Sequence, residues 1–362
     1  MNGDIMKILI GIQHPKQVHL FKYPIYQLID RGHEVKVIAV HKEITRELLE
    51  QFHIPYTLLG TNQPSLGKKI ISFFSWEYQT FNIMRHFNPD LVIGRALPHL
   101  AHVSVLLRKP FIIFEDTELA GAIHKITVPF ASSIVTPSGY LGDFGKKHIR
   151  YDGFDELSYL HPNYFTPDPR IFSDLGLSEG DPFILLRVIS WNAYHDNNLK
   201  GLSDYSGLIR ELEPYGTVFI SSEGQLDSSL ERYRLHSTPD MMHSILNYAR
   251  MYIGEGGTMA AEAAILGTPA IHVEANAEMI ATGNLCGNFR ELRDKYGLLF
   301  FFASQKEAIA KAKELLARQD SKQEWQKKRE TLLKEKIDVT AWMIDLIENY
   351  PGSISRYRRS HE

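Results

Sequence analysis

Read for its apolar positions, the chain alternates between short unbroken apolar runs and longer stretches with helical spacing. Met6 to Ile12 (MKILIGI) is a continuous apolar run, the pattern of a strand buried on both faces of a parallel sheet. Gln13 to Lys16 make a turn, Gln17 to Arg31 keep helical spacing, and Gly32 ends that helix before a second strand, Glu34 to Val40, which completes a βαβ unit. The alternation predicts helix Glu43 to Phe52, strand Tyr56 to Leu59, helix Leu66 to Phe87, strand Leu91 to Gly94, helix Leu97 to Leu107, strand Phe111 to Phe114, a helical segment Ala120 to Val128 and strand Ser133 to Thr136. Residues 1–149 therefore read as one doubly wound domain. Over 150–169 the periodicity lapses into a stretch rich in Pro, Asp, Tyr and Gly, which reads as an interdomain connection. Alternation restarts with strand Phe183 to Ile189, helix Tyr205 to Leu212, strand Thr217 to Ser221, helix Asp240 to Ala249 and strands Met251 to Gly254, Ala270 to Val273 and Leu298 to Phe302. This predicts a second domain over 170–338, with a final helix and tail over 339–362 free to return to the first.

Composition narrows the class. A chain of 362 residues is long enough for two cores, and 44% hydrophobic with 23% charged residues is ordinary for a globular protein. The formal net charge is −3 and the basic residues form no stripe apart from the terminal Arg356 to Arg359, so nucleic acid is not an indicated partner. Cys286 is the single cysteine, which rules out an intrachain disulfide and a cysteine-based zinc site and points to a reducing, cytoplasmic compartment. No apolar run reaches the ~18 residues a membrane helix needs, and no secretory leader is evident.

The candidate chemistry centres on Ile253 to Val273 (IGEGGTMAAEAAILGTPAIHV), which reads as strand end, glycine turn, helix and next strand. Gly254, Gly256 and Gly257 allow positive φ and close approach of a backbone, Thr258 is placed to cap the alanine-rich helix, and Gly267 with Pro269 ends it. A helix N-terminus with unpaired N–H groups and no side chains in front attracts an anion, phosphate being the usual one. Glu262, about one turn further along, cannot serve that phosphate but can accept from two vicinal hydroxyls, as a ribose presents them. The pair suggests a nucleotide diphosphate; the alternative is a plain glycine turn between a buried strand and helix.

Gly256, Glu262, Gly267 and Pro269 stand at the spacing found in the nucleotide-sugar half of GT-B proteins, and resemble both the lipid II-forming N-acetylglucosaminyltransferase and the UDP-N-acetylglucosamine 2-epimerases. The pieces Gln17-Val18-His19, Gly32 to Val35, Asn88 to Leu91, Tyr151 to Leu157, Arg187 to Asp196, Ser221-Ser222-Glu223 and Gly254 to Pro269 together are similar to one prokaryotic family of unknown function related to those proteins. The resemblance implies an α/β fold of GT-B type, two Rossmann-like doubly wound domains facing across a cleft, with Ser222 and Glu223 joining the glycine turn in holding a UDP-class nucleotide.

The resemblance also draws attention to the edges of the strands. The loop after Phe183 to Ile189 carries His195 and Asp196, and the corresponding 2-epimerase loop carries a functional histidine. His195 can donate to a phosphate or work as acid/base, with Asp196 fixing its tautomer; the alternative is a polar surface turn. The strand Phe111 to Phe114 delivers Glu115, Asp116 and Glu118, and carboxylates so close repel one another, which raises at least one pKa and makes a base for a sugar hydroxyl. The alternative is that Asp116 or Thr117 only caps the next helix. His19 in the first helix is placed like a histidine of the glucosaminyltransferase. The 2-epimerases carry an aspartate where this chain has Arg95 and paired glutamates where it has Ala122, Ile123 and His124, so groups for removing and returning a proton are missing.

No Asp-x-Asp is present and no Gly-x-Gly-x-x-Gly follows the first strand, so neither a metal clamp nor a nicotinamide cofactor is indicated, and no cofactor is expected. The aromatic stretch Lys68 to Met84, preceded by lysine, reads either as a membrane-surface helix receiving a lipid-linked acceptor or, preferably, as a helix buried against the sheet. The first reading is a metal-independent glycosyltransferase that uses a nucleoside-diphosphate sugar for a cell-surface glycan or glycolipid, cytoplasmic or peripheral at the inner membrane face. A nucleotide-sugar isomerase or hydrolase and a non-catalytic sugar-nucleotide-binding protein stand beside it.

Overall fold

A computed structural model describes residues 5–61, 66–189, 201–222 and 224–359. The chain divides into two units, residues 1–164 with 337–362, and residues 165–336.

The first unit holds seven strands: β1 (Lys7–Ile12), β2 (Glu34–His41), β3 (Tyr56–Thr61), β4 (Leu91–Gly94), β5 (Phe111–Phe114), β6 (Ser133–Pro137) and β7 (His148–Tyr151). All pair in parallel, in the order β3-β2-β1-β4-β5-β6-β7. β4 and β5 are buried at every position, as their unbroken apolar sequences require for a sheet covered on both faces. One core joins Leu9, Ile38, Val92, Phe111 and Ile134 of the sheet to Trp76, Met84, Leu100 and Val103 of two covering helices. The chain winds from β1 out to β3 and returns on the other side of β1 as β4. That reversal opens the sheet's carboxyl edge between β1 and β4, the usual place for a ligand in such folds.

The stretch 150–169 holds the crossing from the first unit to the second, but its first part is packed structure rather than the linker its composition predicts. It contains the end of β7 and a one-turn helix, Leu157–Leu160, with Tyr151, Phe154, Leu157 and Leu160 fully buried, and the division between the units falls after Tyr164. Asp152 and Gly153 serve a tight bend inside the packed first unit rather than a linker. The last helices, Val339–Glu348 and Gly352–Arg359, belong to this unit: Ile337 N–H donates to Asp152 O at 3.0 Å and Thr340 Oγ1 to Ser158 O at 2.7 Å.

The aromatic helix Leu66–Phe87 departs in part from the preferred expectation. Trp76, Thr80 and Met84 face the sheet, but Ile71, Phe74 and Tyr78 are 73%, 63% and 69% exposed, one outer stripe at helical spacing. Among the described residues no helix is long and apolar enough to cross a membrane.

The second unit carries β8 (Phe183–Val188), β9 (Thr217–Ser222), β10 (Met251–Gly254), β11 (Ala270–Val273) and β12 (Leu299–Phe302), all parallel in the order β12-β11-β10-β8-β9. Its reversal lies between β8 and β10. A helix unforeseen from the sequence, Gly287–Asp294, packs beside the glycine turn.

Candidate functional site

In each unit the edge at the sheet's reversal point gathers the candidate groups, by different means. At the edge of the first unit, Lys16 comes from the start of the helix Pro15–Asp30 after β1, Arg95 follows β4, Glu115 and Asp116 follow β5, and Asp155 and Glu156 follow β7. Arg95 Nη2 binds Asp116 Oδ1 at 2.7 Å and Asp155 Oδ2 at 2.5 Å, while its Nη1 reaches Phe114 O at 3.2 Å. Lys16 Nζ binds Asp116 and lies 2.7 Å from Glu156 Oε1. Burial alone would raise the Asp116 carboxyl, but Arg95 and Lys16 overcome it and hold Asp116 well below the usual carboxylate range. The expected repulsion among carboxylates thus gives way, at Asp116, to pairing with two cations. The raised carboxyl is Asp155 instead, pushed up to about 7 by burial against the pull of Arg95, and it accepts the Tyr151 hydroxyl.

Glu115 is buried at the margin of this network, its Oε1 at 3.5 Å from Arg95 Nη1, a longer contact than those Arg95 makes with Asp116 and Asp155. Its Oε1 accepts from the N–H groups of Asp116 (3.1 Å) and Thr117 (3.3 Å), and its Oε2 lies 3.2 Å from His124 Nε2. Glu118 turns away to accept from Leu141 N–H at 2.9 Å. His19 is packed between the rings of Phe52 and Tyr159, at 5.5 and 5.3 Å, which gives it the setting of a core side chain. His14 caps the helix that carries Lys16 by accepting from the Lys16 N–H at 3.2 Å, and its ring, partly exposed, lies 3.7 Å from Glu43.

At the edge of the second unit the backbone takes over. β10 ends in Gly254, where a Cβ would lie 2.6 Å from the Arg187 carbonyl oxygen, so only glycine lets the turn close against β8. Gly256, with φ of 81°, is the N-cap of the helix Gly257–Ile265, and no side chain caps it. Thr258 is therefore the second helical residue and not the cap its type suggested, because positive φ at the cap position selects glycine. Gly256 to Met259 are partly exposed while everything from Ala260 to Ile265 is buried, so the open part of this helix is its first turn. Glu255, fully buried in the turn, accepts from Ile189 N–H at 2.9 Å and Leu202 N–H at 2.7 Å, tying both flanks of the segment after β8 to the turn. Arg187 donates to Ser221 Oγ at 2.9 Å at the same edge. Ser222 is engaged with its own turn, its hydroxyl 3.2 Å from both the N–H and the O of Gly224. Glu262 is only 4% exposed and pairs with His243 at 3.2 Å. His195, Asp196 and Glu223 lie outside the described residues.

The structure thus brings Glu115 and Asp116 together with groups the sequence reading passed over. Asp155 and Glu156 stood in the stretch taken as a connection, and Arg95 was noted only as a departure from another family. The available signal was Asp152-Gly153-Phe154-Asp155-Glu156, a turn signal followed by adjacent Asp155 and Glu156 amid apolar residues.

Residues 6–285 match a family described as Protein of unknown function (DUF354). The chain belongs to that family. A relative of this DUF354 chain, the uncharacterized protein MJ0665 of Methanocaldococcus jannaschii, is 25% identical over 279 residues, 74% of this chain and 81% of that protein. Among similar solved structures is the UDP-GlcNAc 2-epimerase from Neisseria meningitidis bound to UDP-GlcNAc, at TM-score 0.63 and 11% identity over 95% of this chain and all (100%) of that one. Another is SsfS6, a Streptomyces sp. SF2575 glycosyltransferase, at TM-score 0.59 and 13% identity over 95% and 100%. The DUF354 chain has the GT-B type of fold, two α/β domains each built on a parallel sheet.

Proposed function

We propose that this protein is a metal-independent glycosyltransferase that uses a nucleoside-diphosphate sugar, with a UDP-sugar the first candidate, in making a cell-surface glycan or glycolipid. The observation that carries the reading is the open first turn of the helix Gly257–Ile265, at the sheet's reversal point and free of side chains at Gly256 and Gly257, with Glu262 one turn on. Its N–H groups suit the diphosphate and stabilise the charge that develops as the sugar leaves. Glu262 takes the ribose. Glu115 is the better base for an acceptor hydroxyl, since Asp116 is committed to Lys16 and Arg95. The test is a thermal-shift screen across nucleotides followed by a nucleotide-release assay with and without a membrane extract as acceptor source. Release that requires the extract is expected; a protein that no nucleotide or nucleotide sugar stabilises would sink the reading.

The acceptor, on this reading, is lipid-linked and met at a membrane surface. The exposed Ile71, Phe74 and Tyr78 support this, and Leu106 on the helix Pro98–Leu106 packed alongside is 69% exposed as well. Co-sedimentation with vesicles containing anionic lipid should fall on Phe74→Ser; a wild type that stays wholly in the supernatant makes the acceptor soluble.

One observation favours a second reading, an isomerase acting on the nucleotide sugar. His124, counted from sequence as a loss of acid/base capacity, lies 3.2 Å from Glu115 and gives the edge a second group able to exchange a proton. Turnover of a nucleotide sugar without any acceptor would select it.

A further inference from the structure

Glu262 sits where an alanine-rich helix has no structural need of a carboxylate. Every other position from Ala260 to Ile265 is apolar and buried, and the helix packs on both β10 and β11. Burying a carboxylate there costs free energy unless it is paired, and replacing a buried polar pair by apolar side chains is commonly neutral or stabilising. Its presence there calls for a use. Glu262 follows Thr258 by four residues, which puts the two on one face of the helix about 6 Å apart along its axis, near the span from a diphosphate to the hydroxyls of its ribose.

The partner of Glu262 is a histidine from another helix. His243, 7% exposed on the helix Met242–Tyr248, directs Nε2 at Glu262 Oε1 at 3.2 Å. An ionised carboxylate only accepts, so the imidazole nitrogen donates. The ring is held in turn by Phe165, edge to face at 6.0 Å, and the segment carrying Phe165 is pinned to the same helix by Asp168 N–H donating to Ser244 Oγ at 3.0 Å. The histidine is therefore fixed in place before any ligand arrives, and it fixes one oxygen of Glu262.

We infer that His243 is the positioning residue for ribose recognition: by occupying Oε1 it sets the rotamer of Glu262 and turns the other carboxylate oxygen toward the hydroxyls of a nucleotide bound at the glycine turn. This rests on the nucleotide reading above. The probes are UDP and 2′,3′-dideoxyuridine diphosphate, which lacks both hydroxyls, measured by calorimetry on wild type, His243→Phe and His243→Gln. Wild type should prefer UDP by about tenfold or more, the worth of hydrogen bonds to a charged acceptor. His243→Phe should bring that preference down to about twofold, mostly by weakening UDP, and His243→Gln, which keeps a donor, should recover part of it. A merely structural role would weaken both ligands alike and leave their ratio unchanged, and that result overturns the inference alone. A wild type that binds neither ligand overturns the nucleotide reading and this inference with it. A second measurement needs no variant: the ring nitrogen resonances of His243 in wild-type protein should shift more with UDP than with the dideoxy analogue, and equal shifts count against the assignment.

Discussion

The two sheets meet the same topological problem with opposite materials. At the reversal point of the first, the edge is filled by charged side chains that neutralise one another: Lys16 and Arg95 against Asp116, Asp155 and Glu156. At the reversal point of the second, the helix start is left to glycine, and its partly exposed first turn has no side-chain cap. Cations already committed to buried carboxylates are poor ligands for a further anion. An uncapped helix start with no Cβ in front of it has its donors still to satisfy. The first edge holds its charges fixed against one another, and it is to the second that the proposed function assigns a charged group from outside.

The comparison is most exposed at Arg95. Arg95→Ala would leave Asp116 and Asp155 buried with one cation between them and their neighbours, and the cost of such an uncompensated charge is about 3–5 kcal/mol of stability. Urea unfolding should show it as a lower midpoint with little change in slope; a loss below about 1 kcal/mol would mean the network is solvated and the contrast with the second edge is weaker than drawn.

A smaller effect tests how dry the first unit is. His99 is buried against Thr80 and Trp76, and burial, with nearby His102, pushes its imidazole down to about 4. A folded-state value below the unfolded one of about 6.5 means that the unfolded chain binds more protons between those two values, so stability falls as pH drops through that window. From pH 7 to 4.5 this one group should remove about 2 kcal/mol. Because Asp155 titrates over an overlapping range, the measurement that isolates His99 is the difference in pH dependence between wild type and His99→Gln. Parallel curves for the two proteins would show that His99 is hydrated.

The smallest effects sharpen the account of the glycine turn. Gly256→Ala places a side chain at φ of 81° and should cost about 1–2 kcal/mol. Thr258→Ala should stay within about 0.5 kcal/mol, since the threonine does not cap the helix. If the threonine change costs about 1 kcal/mol or more, the loss typical of a cap, the glycine cap is wrong.

Much of this was legible in the residues. The apolar runs of β4, β5 and β10 are uninterrupted, so their limits could be read directly, and the glycine turn announced itself because glycine at successive positions has few other uses. β7 was missed because His148-Ile149-Arg150-Tyr151 is half polar: a strand at the sheet's edge need not be apolar on both faces. The aromatic helix was misjudged in part because composition cannot say which of Phe73, Phe74, Trp76 and Tyr78 faces the sheet.

By itself the sequence determined the order of the apolar strands and the main helices between them, and the glycine turn, since these depend on periodicity and backbone freedom, which are local. Only the tertiary structure decided which charges meet. Lys16 and Glu156 are 140 residues apart, Arg95 and Asp155 are 60 apart, and Glu262 and His243 are 19 apart on different helices. Whether a carboxylate is a base, an anchor for a cation or a ligand for a ribose depends on the charge and the water within a few ångströms of it, because those set the relative free energies of its protonated and ionised forms. That neighbourhood is created by the pairing of strands distant in sequence, so residue type and spacing could nominate Glu115, Asp116 and Glu262 but could not say that Asp116 is locked between Lys16 and Arg95, or that a histidine stands behind Glu262.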